Sequence, residues 1–471
     1  MTAPTRPIRA VADLRGRHAV VLGLARSGVA ASRFLADAGA AVTAYDRRPA
    51  AELGKSVTEL GGRPVRLALG IPDDEARALI DGADLLVTSP SVSARFPTTD
   101  AWLREALVGA EGRGAEIVSE VELFLRLTRA RILGVTGTKG KTTTSSLVAA
   151  MLERARIPHV LGGNIGTPLI ERAATLGPSD WAVLELSELQ LPTISRGADV
   201  AVYTNIGEDH LDRHGSVAGY RAVKGRLAEL SADGGRVILN RDDPGSRELA
   251  SALPAARIEW YGLEPSDGLA AHLSMDGWLV LGGERLLPAA EVPIPGRHLL
   301  ADVLAAALGA RAAGAAGSDI ADAVREFRGV PHRLELVAER DGVRWVNDSQ
   351  ATIPLAAIAA LEAFDTPIVL IAGGRHKGLD YRAFADVIAV RARGLVLMGE
   401  TADELQGLIG DRVPVFRASS MPEAVSLAAS LARPGDVALL APAAASFDMF
   451  DDYAARGDAF RASVAALGEG S

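Results

Sequence analysis

The chain has 471 residues, 48% of them hydrophobic and 23% charged, with no cysteine and a formal net charge of −9. Such a composition belongs to a folded protein of about three domains. It excludes a disordered chain, a disulfide scaffold, thiolate catalysis, iron–sulfur clusters and cysteine-ligated zinc. The acidic balance argues against nucleic acid as a partner, and no run reaches the roughly 20 apolar residues of a membrane span. The first residues carry no apolar leader, so the expected compartment is the cytoplasm and membrane association is not expected.

Taken in chain order, His18–Leu22 reads as a strand and Ser27–Ala38 as a helix, joined by Gly23-Leu24-Ala25-Arg26-Ser27-Gly28, with Asp46 closing the next strand. This is close to a dinucleotide loop, but Ala25 occupies the place of the glycine that lets a pyrophosphate approach. Two readings stay open: glycines that pack strand against helix, or a nucleoside diphosphate at the helix N-terminus with Asp46 near its base. The glycine-rich stretch Val108–Gly114 closes this section.

The strongest local signal follows. Between a strand at Ile132–Val135 and a helix at Thr142–Arg154 lies Gly134-Val-Thr-Gly137-Thr138-Lys139-Gly140-Lys141-Thr142-Thr143. Glycines let backbone N–H groups close on phosphate oxygens, Lys141 brings charge, and Thr142 offers a hydroxyl to Mg²⁺. Val135 stands where the strict spacing has glycine, while the Gly-Lys-Thr-Thr end is intact. Glu185 is an acid within the apolar run Trp181–Leu186, a position that calls for a cation or an exposed strand end. After the strand Val200–Ile206 come Glu208, Asp209, His210 and Asp212, a solvated loop or a metal and phosphate cluster. Lys224, in the helical stretch Gly219–Leu230, reads by itself as a lysine on a solvated face.

Val237–Leu239 is another strand, and Ser266–Val292, without helical periodicity, reads as small strands or a hairpin. A last section opens at the turn Gly329–Pro331 and carries strand-like runs at Arg333–Val337, Pro367–Ile371, Gly394–Met398 and Val437–Ala441. Lys377, on a glycine-rich loop, suits a substrate carboxylate. Strands apolar on both faces that alternate with helices predict an α/β fold with mostly parallel, helix-covered sheets. Three domains are expected: a Rossmann-like 1–118, a P-loop ATPase-like 119–328 and a Rossmann-like 329–471.

Further motifs run through the chain, among them Ser89-Pro90, Gly162–Gly166, Leu184–Leu191, Tyr220–Lys224, Gly329–Arg333, Asn347–Thr352, Gly373–Gly378 and Pro442–Phe450. In this order, together with the two glycine loops, they resemble the Mur ligases, ATP-dependent amide-forming enzymes of peptidoglycan precursor synthesis. The resemblance implies joining of D-glutamate to the alanine carboxylate of UDP-N-acetylmuramoyl-L-alanine through an acyl phosphate, with ATP and Mg²⁺, by a monomer acting on small molecules. It implies a catalytic set of Lys141, Glu185, His210 and Lys224, with Mg²⁺ on Thr142, Glu185, His210 and a carbamylated Lys224. ATP would lie on Gly137, Thr138, Lys139, Gly140, Lys141, Thr142, Thr143, Asp302, Arg333 and Asp348. The uridine end would meet Arg26, Ser27, Asp46 and Arg47, and the muramoyl-alanine end Asn164, Ser187 and Gln190. D-Glutamate would meet Thr352, Lys377, Ser446, Phe447 and Tyr453. Gln350 in place of a usual lysine, Ile353, Leu299 and Asp302 in place of asparagines, and Glu188 in place of a serine depart from the pattern. A relative adding L-glutamate or another amino acid, and an inactive nucleotide-binding regulator, remain as alternatives.

Overall fold

Apolar strands with no polar face can lie only inside a sheet covered on both sides. The computed structural model, which describes residues 7–96, 98–207, 214, 216–231, 234–264, 266–293 and 297–467, places them there in three sheets. The first holds β1 (His18–Leu22), β2 (Ala41–Asp46), β3 (Val65–Leu69), β4 (Leu85–Thr88) and β5 (Glu116–Ser119), all parallel in the order β3-β2-β1-β4-β5. Helix α1 (Arg26–Asp37) follows β1 and starts one residue before the expected position.

The second sheet contains β6 (Arg131–Thr136), β7 (His159–Gly163), β8 (Trp181–Glu185), β9 (Val200–Tyr203), β10 (Arg236–Asn240), β11 (Ile258–Gly262), β12 (Leu269–Leu273), β13 (Trp278–Leu281) and β14 (Glu284–Pro288). Its order is β14-β13-β12-β11-β10-β9-β6-β8-β7, parallel from β7 to β12 and antiparallel through β13 and β14. The expected hairpin region is therefore three strands long. One face of this sheet, with Leu133, Val135, Val183 and Val202, is buried by α2 (Lys141–Arg154) and α4 (Arg297–Ala312). The other face, with Ile132, Leu184 and Tyr203, shares one continuous core with Val21 and Leu35 of the preceding section and with Phe124. Helix α3 (Val217–Glu229) follows β9.

The third sheet has β15 (Glu335–Arg340), β16 (Val343–Asn347), β17 (Ile368–Ala372), β18 (Ala392–Leu397), β19 (Val415–Arg417) and β20 (Val437–Leu440). Its order is β15-β16-β20-β17-β18-β19, with only β15 antiparallel, and α5 (Tyr453–Ala466) follows β20. The chain divides into two compact units, Met1–Phe327 with the first two sheets and Arg328–Ser471 with the third. Among the described residues no helix is long and apolar enough to cross a membrane.

Candidate active site

In parallel sheets ligands gather outside the carboxyl ends of the strands, and the phosphate loop lies at that edge, between β6 and α2. Gly140 takes the left-handed conformation (φ 82°) as the N-cap of α2, and the Nζ of Lys141 donates to the carbonyls of Gly137 and Thr138, each at 3.0 Å. The first turn of α2 presents N–H groups that have no acceptor within the helix. The expected strand Val200–Ile206 stops at Tyr203, because the residues after it turn to hold this loop. Thr138 N donates to Asn205 O (2.9 Å), Lys139 N to Asn205 Oδ1 (3.0 Å) and Gly207 N to Thr138 Oγ1 (2.9 Å). Asn205 Nδ2 returns a bond to Lys139 O (3.1 Å), and the hydroxyls of Thr138 and Tyr220 are 3.1 Å apart. Asp302 packs against the same loop, where a Cβ on Gly140 would lie 2.3 Å from its Oδ1.

Two buried ionisable groups sit beside the loop. Glu185 ends β8 opposite Val135 of β6 and is 1% exposed. Its Oε1 accepts from Asn164 Nδ2 (2.8 Å), whereas its buried Oε2 has no hydrogen-bond partner among the described residues. A carboxylate oxygen buried without a donor among the described residues, on the strand beside the one that leads into the phosphate loop, fits a hard divalent cation. Lys224 corrects the reading of a solvated helix lysine: it is 0% exposed, and its Nζ donates to Gly137 O at 2.9 Å. The ring of Tyr220, one turn earlier, lies 5.4 Å from that nitrogen. His210, with Asp209, Asp212 and Arg213, lies outside the described residues. Ser187 is buried and donates, through N (3.1 Å) and Oγ (3.2 Å), to Gln190 Oε1, so these two residues form a self-contained turn after β8.

At the edge of the first sheet, Arg26 Nη1 reaches Gly166 O (3.4 Å), and Ser27 lies in the first turn of α1. Asp46 is already engaged: it accepts from Leu24 N (2.8 Å), from Arg48 N and Nε (3.0 Å each) and from Arg48 Nη2 (2.9 Å). Burial pushes its pKa up, but the bonds from Arg48 and Leu24 outweigh that and hold it below the usual carboxylate value. Asp46 thus ties the Gly23–Arg26 turn to a half-exposed Arg48, a residue that sequence reasoning missed, while Arg47 pairs with Asp100.

In the second unit, Asp348 follows β16, accepts from Leu334 N (3.1 Å), and has its pKa pushed up to about 6 by burial, with that bond and the charge of Arg333 opposing the rise. Lys377 Nζ donates to Thr352 O (3.3 Å), and its pKa is lowered by burial and by Arg456. Ser446 is buried, with its carbonyl capping Met449 and Phe450, while Phe447 is 62% exposed. Tyr453 packs edge-on to His332 (6.1 Å between ring centres) and its carbonyl accepts from Ser349 Oγ (2.7 Å). The structure therefore brings together Thr352 with Lys377, and Asp348 with Arg333, at one edge of the third sheet.

Residues 135–310 match the profile of the Mur ligase middle domain, and residues 332–444 that of the Mur ligase, glutamate ligase domain. A UDP-N-acetylmuramoylalanine–D-glutamate ligase of Solibacter usitatus is 40% identical over 455 residues, 96% of this chain and 99% of that one. The chain is a Mur ligase. The ligase of the same name from Acidobacterium capsulatum is 39% identical over 95% of this chain and 96% of its own. The fold agrees with solved structures: the UDP-N-acetylmuramate–alanine ligase of Thermotoga maritima (TM-score 0.59, 17% identity, 96% of this chain and 100% of that one) and a pseudomurein peptide ligase of Methanothermus fervidus (TM-score 0.51, 18% identity, the same coverage). Within this Mur ligase, sequence reasoning also missed the bracing role of Asn205 and all of Arg456. Arg456 could have been noticed, since it shares an i, i+4, i+8 helix stripe with Phe460 and Val464.

Proposed function

We propose that this Mur ligase joins D-glutamate to UDP-N-acetylmuramoyl-L-alanine at the expense of ATP, as a monomer in the cytoplasm, in peptidoglycan precursor synthesis. One observation carries the reading. A phosphate loop, a buried carboxylate oxygen with no donor among the described residues and a buried lysine converge at one sheet edge, in a chain 40% identical over nearly its whole length to a ligase named for D-glutamate.

The alanine carboxylate attacks the γ-phosphorus of ATP, the bond to the β–γ bridging oxygen breaks, and ADP leaves. The amine of D-glutamate, having lost a proton, adds to the acyl carbon; the tetrahedral adduct expels phosphate and leaves the amide. Phosphoryl transfer rests on placement and charge neutralisation. The first-turn N–H groups of α2 and Lys141 receive the phosphates, and the brace from Asn205 keeps their spacing fixed before substrate arrives. Mg²⁺, when bound, neutralises phosphate charge, and Thr142, Glu185, His210 and the carbamate of Lys224 would hold it. Asn164 orients Glu185 so that its second oxygen stays available. Arg26, Ser27 and Arg47 take the uridine diphosphate end, with Asp46 acting through Arg48. Asn164, Ser187 and Gln190 take the muramoyl-alanine end. Asp302, Arg333 and Asp348 complete the nucleotide contacts, and Thr352, Lys377, Ser446, Phe447 and Tyr453 take glutamate.

The test is phosphate release by the purified enzyme with ATP, Mg²⁺ and UDP-N-acetylmuramoyl-L-alanine against a panel of D- and L-amino acids. Release that depends on D-glutamate is the expected result. Release only with L-glutamate or another amino acid overturns the specificity, and no release with any of them overturns the reaction.

A further inference from the structure

The third sheet's carboxyl edge holds a charge that none of these assignments uses. Arg456, in the first turn of α5, is 1% exposed. Its Nε donates to Ser349 Oγ (3.0 Å), its Nη2 to Ser349 O (2.9 Å) and its Nη1 to Ala444 O (3.1 Å). These bonds lace the end of β16 to the end of β20. Thr352 lies three residues beyond Ser349, and Ser446 two beyond Ala444. The loop after β17 is fitted to the same group: a Cβ on Gly374 would lie 3.1 Å from Arg456 Nη1 and 2.2 Å from Ala445 O, and Lys377 follows three residues later.

Among the described residues no carboxylate forms an ion pair with Arg456. Asp448, the acid whose charge reaches it, has Oδ2 committed to Glu400 N (3.0 Å). A buried guanidinium held only by neutral oxygens is costly in the absence of an anion. Its field is also strong there, because little water screens it. Lys377 lies within its reach: burial first, and then the charge of Arg456, disfavour its ammonium form.

We propose that Arg456 is the positioning residue of the amino-acid pocket: it fixes the loops bearing Thr352, Lys377 and Ser446, and its unpaired buried charge makes the pocket select a side-chain carboxylate over the neutral amide. The proposal rests on the reading that this unit receives glutamate. An incoming carboxylate is drawn by two cations, Lys377 by contact and Arg456 through the field. The amide of glutamine offers an acceptor oxygen but no net charge, so it gains far less from either cation.

The experiment compares D-glutamate with D-glutamine in wild type, Arg456→Met and Arg456→Lys at saturating ATP and UDP-N-acetylmuramoyl-L-alanine. Where glutamine turnover is too slow, its competitive inhibition constant replaces KM. Arg456→Met is expected to raise KM for glutamate about a hundredfold and to shrink the glutamate-to-glutamine preference at least tenfold, with KM for ATP within twofold of wild type. Arg456→Lys keeps the charge but cannot span Ser349 and Ala444. It should retain most of the preference while losing about tenfold in kcat/KM. Equal loss for both amino acids in Arg456→Met, as a purely structural role would give, overturns the proposal. If Arg456→Met fails to fold, Arg456→Lys decides alone: wild-type kinetics, or a lost preference, overturns it. Wild type that does not use D-glutamate sinks the underlying reading. Wild type that uses it, beside an Arg456→Met with unchanged preference, sinks this inference only.

Discussion

The phosphate-loop edge of the second sheet and the amino-acid edge of the third are built on opposite plans. At the first, the loop proposed to receive the phosphates is one stretch, Gly137 to Thr143, and much of its proposed grip is backbone; the neighbouring Thr204–Gly207 segment braces it through Asn205. At the second, Thr352, Lys377 and Ser446 come from three separate loops, and one buried arginine laces their bases together. Each edge rests on a buried side chain with a nitrogen head, Lys224 in one and Arg456 in the other, carried on the apolar stripe of a helix. A contiguous, backbone-built site is robust to most side-chain changes and fragile at a few. A site gathered from loops spreads its sensitivity over residues that never touch substrate.

The largest effect that would break this contrast is expected at Lys141. Lys141→Ala removes the charge and both bonds to the loop carbonyls. It should lower ATP-dependent phosphate release about a thousandfold or more, with binding of UDP-N-acetylmuramoyl-L-alanine, measured by calorimetry, left within a few-fold of wild type. Turnover close to wild type would mean that the loop is not where ATP is activated.

Lys377→Ala should have a smaller and more selective effect. Losing a charge-assisted bond is worth about 1.5–3 kcal/mol, or roughly a 10- to 100-fold rise in KM for D-glutamate, with KM for ATP nearly unchanged. Steady-state kinetics with each substrate varied in turn would show it. Equal rises for glutamate and ATP would erase the distinction between the two edges.

The same contrast explains what could be read from residues alone. The phosphate loop was legible because its chemistry is contiguous and flanked by a strand and a helix, and Glu185 because an acid inside an apolar strand is conspicuous. Lys224 was not, since a lone lysine fourteen residues past His210 looks like solvated surface until the stripe Tyr220, Lys224, Ala228 is seen to be the buried one. Asp46 was visible as a strand-ending acid, but its commitment to Arg48 depends on a turn geometry that spacing does not encode. The three sheets followed from runs apolar on both faces. Short or partly exposed strands such as β3 and β19 escaped, because half their residues point to solvent and break the pattern.

One buried acid with a raised pKa in each unit, Glu120 and Asp348, differs from the other in what it does, and the smallest predicted effect tests this. In the first, Glu120 opens the helix Glu120–Leu127, accepts from Ile170 N (2.9 Å), and has its pKa pushed up to about 7 by burial, with the N–H bonds from residues 169 and 170 opposing. In the second, Asp348 is pushed up to about 6 for the same first reason. An acid whose folded pKa is raised favours the folded state fully below its unfolded value, near 4, and that contribution is lost as pH rises through the folded value. The neutral isosteres Glu120→Gln and Asp348→Asn should therefore each stabilise their unit at pH 8 by about 3 kcal/mol, from 1.36 kcal/mol per pKa unit, and the gain should fade as pH drops toward 4. Urea denaturation at several pH values measures the gap. What separates the pair is activity: Glu120→Gln keeps it, since among the described residues that carboxyl accepts from the backbone N–H groups of residues 169 and 170, whereas Asp348→Asn loses it if the acid meets nucleotide. A Glu120→Gln enzyme as impaired as Asp348→Asn would place Glu120 in the chemistry after all.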